Sequence, residues 1–188
     1  YGVIFKYAIS GSTYSVITNF TGSGGGAIGA NPQGGLLASG TTLYGLTFNG
    51  GASSWGELFK ATTTGTVTDI YDFTSGGGNS PKGNLAMASD GNLYGVTYAG
   101  GTNNDGIFFK CSTTGSFTSL FDFKGVNGEY PSSGSSVVEV MTVNIKPSDV
   151  GCSSQTLTAM SRGGQTPLSY SWSTGATSSS ISNVTAAG

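Results

Sequence analysis

Gly91-Asn92-Leu93-Tyr94-Gly95-Val96-Thr97-Tyr98-Ala99-Gly100-Gly101, continued by Gly106-Ile107-Phe108-Phe109-Lys110, decides how this chain is read. The same order occurs earlier as Thr42-Leu43-Tyr44-Gly45-Leu46-Thr47-Phe48-Asn49-Gly50-Gly51, followed by Gly56-Glu57-Leu58-Phe59-Lys60. A partial copy opens the chain as Gly2-Val3-Ile4-Phe5-Lys6. Matching positions recur about every 50 residues: Lys6, Lys60 and Lys110; Phe20, Phe73 and Phe123; Pro32, Pro81 and Pro131. A repeat of that length means an array of small supersecondary units, each unable to bury its apolar face alone.

Each unit contains four strand-like runs. In the last full copy they are Asn84 to Ser89, Asn92 to Tyr98, Gly106 to Cys111 and Ser116 to Phe123. Asp90-Gly91, Gly100-Gly101 and Thr114-Gly115 supply turns between them. The third run is apolar on both faces, with Ile107, Phe109 and Cys111 on one and Phe108 beside Lys110 on the other. A strand covered on both sides has this character, as when small sheets stack on their neighbours. Four short strands at this period form the pattern of a β-propeller blade.

Composition narrows the function classes. Of 188 residues, 85 are Gly, Ser or Thr, and 9% are charged, with a net charge of −2. That favours turns and strands over long helices. Seven Lys+Arg offer too few clustered cations for a phosphate backbone, so no nucleic-acid partner is expected. No apolar run is long enough to cross a bilayer as a helix, and no membrane insertion is expected. The chain has no His, which removes Ser-His-Asp and Cys-His catalysis and His-liganded zinc. Cys111 and Cys152 form neither a disulfide framework nor a zinc motif, and Cys111 reads as a small buried hydrophobe.

Leu-Tyr-Gly, a Gly-Gly doublet, a strand ending in Phe-Lys and another ending in Asp-Phe together resemble the GloVer repeat of secreted bacterial proteins. The layout is also similar to kelch repeats, although Phe117 and its neighbours replace the later kelch Trp. The likeness covers residues 1 to 136 and implies a secreted or cell-surface location. The chain opens in a third strand, holds two whole units and runs into another near Gly134. A closed propeller, usually about four to eight blades, is therefore expected to need more repeats than these. Without them, open strand edges would favour self-association or pairing with further blades of the same protein.

The pattern breaks after Ser136, and Val137 to Ile145 reads as a strand or linker. Leu168, Tyr170 and Trp172 alternate with Ser, as in a sandwich core strand centred on Trp172. The run Gly163-Gly164-Gln165-Thr166-Pro167, continued through Tyr170-Ser171-Trp172-Ser173-Thr174-Gly175-Ala176-Thr177, resembles an SprB-type repeat of gliding-motility adhesins. That resemblance implies a truncated immunoglobulin-like module over 137–188, without a partner for Cys152, and export by the type 9 secretion route. The expected fold is thus all-β: a partial β-propeller over 1–136 followed by an incomplete immunoglobulin-like β-sandwich.

Three residues are candidates for ligand contact. Trp55, in a loop and without an aromatic counterpart at Asp105, suits stacking on a sugar ring; the alternative is a local plug under the Gly-Gly turn. Asp72 and Asp122, with Asn19 at the same repeat position, can hold a cation or a sugar hydroxyl, or can simply cap the following loop, which is the favoured reading. No carboxylate pair for glycosidic chemistry and no local cluster of oxygen ligands is legible, so neither a metal nor a cofactor is expected. Gly24 to Gly29 matches Gly-x-Gly-x-x-Gly formally, but Asn31-Pro32 follows where a nucleotide site needs a helix. The expectation is a non-catalytic secreted or cell-surface adhesion protein binding polysaccharide or another surface polymer. A part of a polysaccharide-degrading enzyme, or a filament or spacer, are the other readings.

Overall fold

A computed structural model describes residues 1–22, 29–132, 137, 139, 155–158 and 180–184. The chain divides into two compact units, Tyr1–Val138 and Glu139–Gly188. The described part is all-β, apart from one short 3₁₀ turn at Gly125–Asn127, and its strand pairs are antiparallel.

The first unit contains β1 (Val3–Ala8), β2 (Thr13–Asn19), β3 (Gly29–Ala30), β4 (Leu37–Ser39), β5 (Thr42–Thr47), β6 (Asn49–Gly50), β7 (Glu57–Thr62), β8 (Val67–Asp72), β9 (Ala86–Met87), β10 (Leu93–Val96), β11 (Ile107–Cys111) and β12 (Phe117–Asp122). Two four-stranded meanders, β4-β5-β7-β8 and β9-β10-β11-β12, are the two whole repeats. The hairpin β1-β2 is the third and fourth strand of the partial first repeat, and β3 pairs with β6 beside the second. In the second unit, β13 (Gln155–Thr158) pairs with β14 (Ser180–Val184), joining Leu157 to Ile181. Cys152, Leu168, Tyr170, Trp172 and most of Gly24 to Gly29 lie outside the described residues.

The core lies between successive repeats. Tyr44, Leu46, Leu58 and Phe73 of the second repeat pack against Leu85, Leu93, Ile107, Phe109 and Cys111 of the third. Ile4 and Phe20 of the first pack against Phe59 and Ala61 of the second. Leu58 and Phe59 therefore serve opposite interfaces, which is why the third strand is apolar on both sides. The Phe that follows each fourth strand meets the third-strand Phe of the next repeat edge-on, with centroids 5.1 Å apart for Phe20–Phe59 and 5.3 Å for Phe73–Phe109. Phe59, Phe73 and Phe109 are fully buried, each contributing about 1.5–3 kcal/mol of burial. Toward the start of the chain the corresponding face is open, and Phe5 is 57% exposed.

The Leu-Tyr-Gly motif has a packing cause. Gly45 pairs across the ladder with Phe59, and Gly95 with Phe109. Each ring lies over its glycine, so that an added Cβ would sit 2.5 Å from Phe59 Cζ or 2.7 Å from Phe109 Cζ. A cross-strand aromatic thus covers the exposed backbone of a strand glycine.

Every fourth strand also carries a bulge. The register slips between Ile4 and Phe5, between Leu58 and Phe59, and between Phe108 and Phe109. The partner strands accommodate it with one extra residue: Ile17, Ile70 and Leu120. The next repeat docks on that irregularity. Gly65 and Gly115, at φ +109° and +99°, lie so close to the Ile17 and Ile70 carbonyls that an added Cβ would be 2.6 and 2.7 Å from the oxygens. Only glycine combines that dihedral with that approach.

Candidate functional site

The bulge has a second effect. In an unbroken strand, residues three apart point to opposite faces. The extra residue Ile70 restores parity between Asp69 and Asp72. Ladder pairing then sets Glu57 opposite Asp72, and Phe59 opposite Asp69. Glu57, Asp69 and Asp72 come together, with one carboxylate oxygen from each lying within 4.8 Å of the others. This corrects the expectation that no carboxylate cluster exists: residues twelve apart in sequence meet across the β7–β8 ladder, and a bulge invisible in the residue pattern aligns the two aspartates.

Glu57 is 1% exposed, and neither of its carboxylate oxygens has a hydrogen-bond partner among the described residues. Burial, followed by the charges of Asp69 and Asp72, pushes its pKa up to about 7. The Gly29 backbone pulls weakly the other way without closing a hydrogen bond of normal geometry. Burial and the neighbouring Asp72 raise Asp69 to about 6, opposed by the backbone of Tyr71 and Ile70. No cation figures among the groups acting on either residue. Asp72 accepts a hydrogen bond from the Ala52 N–H at 2.6 Å. Gly29 and Gly51 wall the cluster, since a Cβ on the first would overlap Glu57 Oε1 and Thr47, and on the second Asp72 Oδ1.

Asp122 holds the same ladder position in the third repeat, opposite Ile107. Its surroundings differ in kind. It accepts from the Thr102 N–H at 3.0 Å, the Thr102 hydroxyl at 2.5 Å and the Ser119 hydroxyl at 3.2 Å. These donors, the Thr102 side chain foremost, hold its pKa below the ordinary carboxylate range. Asp122 is a loop cap, but of the loop twenty residues before it and not of the following loop as expected, because ladder pairing brings the end of β12 beside the turn that precedes β11. Asp72 and Asp122 thus share the backbone donor of the equivalent loop residue, but their side-chain neighbours are carboxylates in one repeat and hydroxyls in the other.

Trp55 is 43% exposed, and its backbone bridges Gly50 of the Gly-Gly turn at the base of its loop. Its carbonyl accepts from the Ser80 N–H at 2.9 Å, and the Ser80 carbonyl accepts from the Tyr98 N–H at 3.2 Å. The loop base is tied to the cluster as well, because the Phe73 N–H donates to the Gly56 carbonyl at 3.0 Å. Along the same edge Lys82 Nζ stands 3.5 Å from the Tyr98 ring centroid and 4.9 Å from that of Phe48. Tyr98 in turn meets Tyr130 at 5.3 Å between centroids. The Asp105 carboxylate beside Tyr130 raises the pKa of its hydroxyl. This row was missed in the sequence. Its legible signal is that Phe48 and Tyr98 share one repeat position, whereas Lys82 has only Gln33 and Ser132 as counterparts.

Two further features are settled structurally. Cys111 is fully buried, its thiol is pushed up to about 11 by desolvation, and it is a core residue as expected. An apolar cleft of about 300 Å³, lined by Val3, Phe5, Pro32, Leu36, Leu46 and Phe59, opens beside β1. Its walls supply no polar side chain to orient a ligand.

Repeated antiparallel meanders sharing cores define an all-β repeat protein. The chain belongs to the Gloeobacter/Verrucomicrobia repeat family, whose model matches residues 1–144. No curated protein and no solved structure matches it. Among the described residues no helix is long and apolar enough to cross a membrane.

Proposed function

We propose that this is a non-catalytic extracellular or cell-surface protein that holds a polysaccharide or similar surface polymer on its aromatic edge. The observation that carries the reading is the row of Phe48, Lys82, Tyr98 and Tyr130, alongside the exposed loop residue Trp55. Apolar ring faces of sugars stack on such platforms, and several weak contacts along a polymer add through multivalency. The clustered carboxylates argue against glycosidic catalysis, because a residue as sealed as Glu57 has no access to a polymer's glycosidic oxygen. The first unit is read as part of a β-propeller, supported by its four-stranded meanders and by cores placed between successive sheets. The second is read as an incomplete immunoglobulin-like module. Retention on a panel of immobilised polysaccharides tests the function. Wild-type protein should be retained on at least one, and Trp55→Ala should weaken retention several-fold; absence of retention across the panel refutes the reading.

A further inference from the structure

The repeats within the chain are a comparison set for each other. By ladder register, Glu57, Asp69 and Asp72 of the second repeat correspond to Ile107, Ser119 and Asp122 of the third, and to Val3, Val16 and Asn19 of the first. In the third repeat one carboxylate is fully satisfied by hydroxyl and amide donors, and Ile107 fills the adjoining space with methyl groups against Gly78. In the second repeat, Ala52 stands where Thr102 would donate, Asp69 replaces the Ser119 donor, and Glu57 replaces Ile107. The second repeat thus lacks two hydroxyl donors and carries two added carboxylates, one of them buried without a partner. Burying an unpaired charge is costly unless something of opposite sign accompanies it.

We infer that Glu57, Asp69 and Asp72 form a binding site for a hard divalent cation of the calcium type. Three observations support the assignment. Both oxygens of the sealed Glu57 lack a protein donor among the described residues, and its carboxyl meets those of the two aspartates. The mutual spacing of up to 4.8 Å fits oxygens distributed around one ion, since ligands at about 2.3–2.6 Å on opposite sides of calcium stand about 5 Å apart. All three donors are carboxylates, and the chain has no His and no nearby thiolate, so the softer metals that prefer nitrogen or sulfur are poorly served. Three carboxylates supply up to six oxygens, with water completing the shell. The ion would cross-link the start of β7 to the end of β8 and, through Asp72 and Ala52, anchor the loop carrying Trp55. The site stands independently of polymer binding.

The test uses the full chain stripped with EDTA. Calcium is expected to raise Tm saturably, by about 5–10 °C at a hundredfold excess over Kd. Terbium should give sensitised luminescence from the aromatic residues, Trp55 being two positions from Glu57, and calcium should quench it by competition. Glu57→Gln should lose most of both responses, and the double variant Glu57→Ile, Asp69→Ser, which installs the third repeat's residues, should lose them entirely while folding. Location is read without any variant by hydrogen exchange, which calcium must slow in wild-type peptides covering residues 47–57 and 67–73. No saturable calcium or terbium response, a response retained by the double variant, or protection confined to other peptides would each overturn the assignment.

Discussion

Replacing Glu57 with the isoleucine found at the same ladder position in the third repeat isolates the energetic character of the acidic cluster. In cation-free protein the folded-state pKa of Glu57, about 7, lies above its ordinary value of 4.5. The sign follows directly: the folded chain keeps a proton that the unfolded chain has released between these values. Stability is therefore fully present below about pH 4.5, falls as pH rises through the window and stays low above pH 7. At about 1.36 kcal/mol per pH unit, the change from pH 5 to pH 8 is about 2–3 kcal/mol. Glu57→Ile removes that titration and also removes a neutral carboxyl without donors, itself worth about 1–3 kcal/mol of unmet hydrogen bonding. The variant should exceed wild type in stability in EDTA at both pH values, and its advantage should grow by about 2–3 kcal/mol between pH 5 and pH 8. Urea unfolding followed by circular dichroism at a series of pH values measures it. An advantage that stays flat with pH, or a wild-type protein more stable at pH 8 than at pH 5, would refute the view of Glu57 as an uncompensated buried acid.

Two other substitutions probe the repeat architecture. Gly95→Ala should cost about 1–3 kcal/mol by overpacking against the fully buried Phe109 ring, whereas Gly76→Ala, with open space around its Cβ, should be near neutral in the same unfolding assay. Asp122→Ala should cost about 0.5–1.5 kcal/mol through its lost hydrogen bonds, whose partners are exposed. It should also speed amide exchange in Gly101–Asp105. Because the Asp122 pKa is depressed, its contribution in wild type should disappear as pH falls below the ordinary carboxylate range.

The sequence by itself determined the all-β class, the period and, to within a few residues, the four strands of each whole repeat, though not the short pair β3 and β6. These properties are local: turn glycines, alternation and the recurrence of Phe-Lys and Asp-Phe depend on neighbours along the chain. It also determined that Cys111 is core, since its repeat counterparts Ala61 and Tyr7 share its strand face. Tertiary structure alone decided the carboxylate cluster. Glu57 is twelve residues from Asp69, and Asp69 and Asp72 have opposite parity in a regular strand, so nothing in the linear pattern joins them. Their meeting depends on ladder register and on one extra residue, Ile70, whose role emerges only when β7 and β8 are paired. The aromatic edge has the same origin. Phe48, Lys82, Tyr98 and Tyr130 come from four separate loop positions, and the stacking of successive repeats sets their rings and the ammonium side by side. Sequence periodicity reports which face each residue occupies within its own sheet; the distances between sheets, which decide what a site can bind, are set by how the repeats pack.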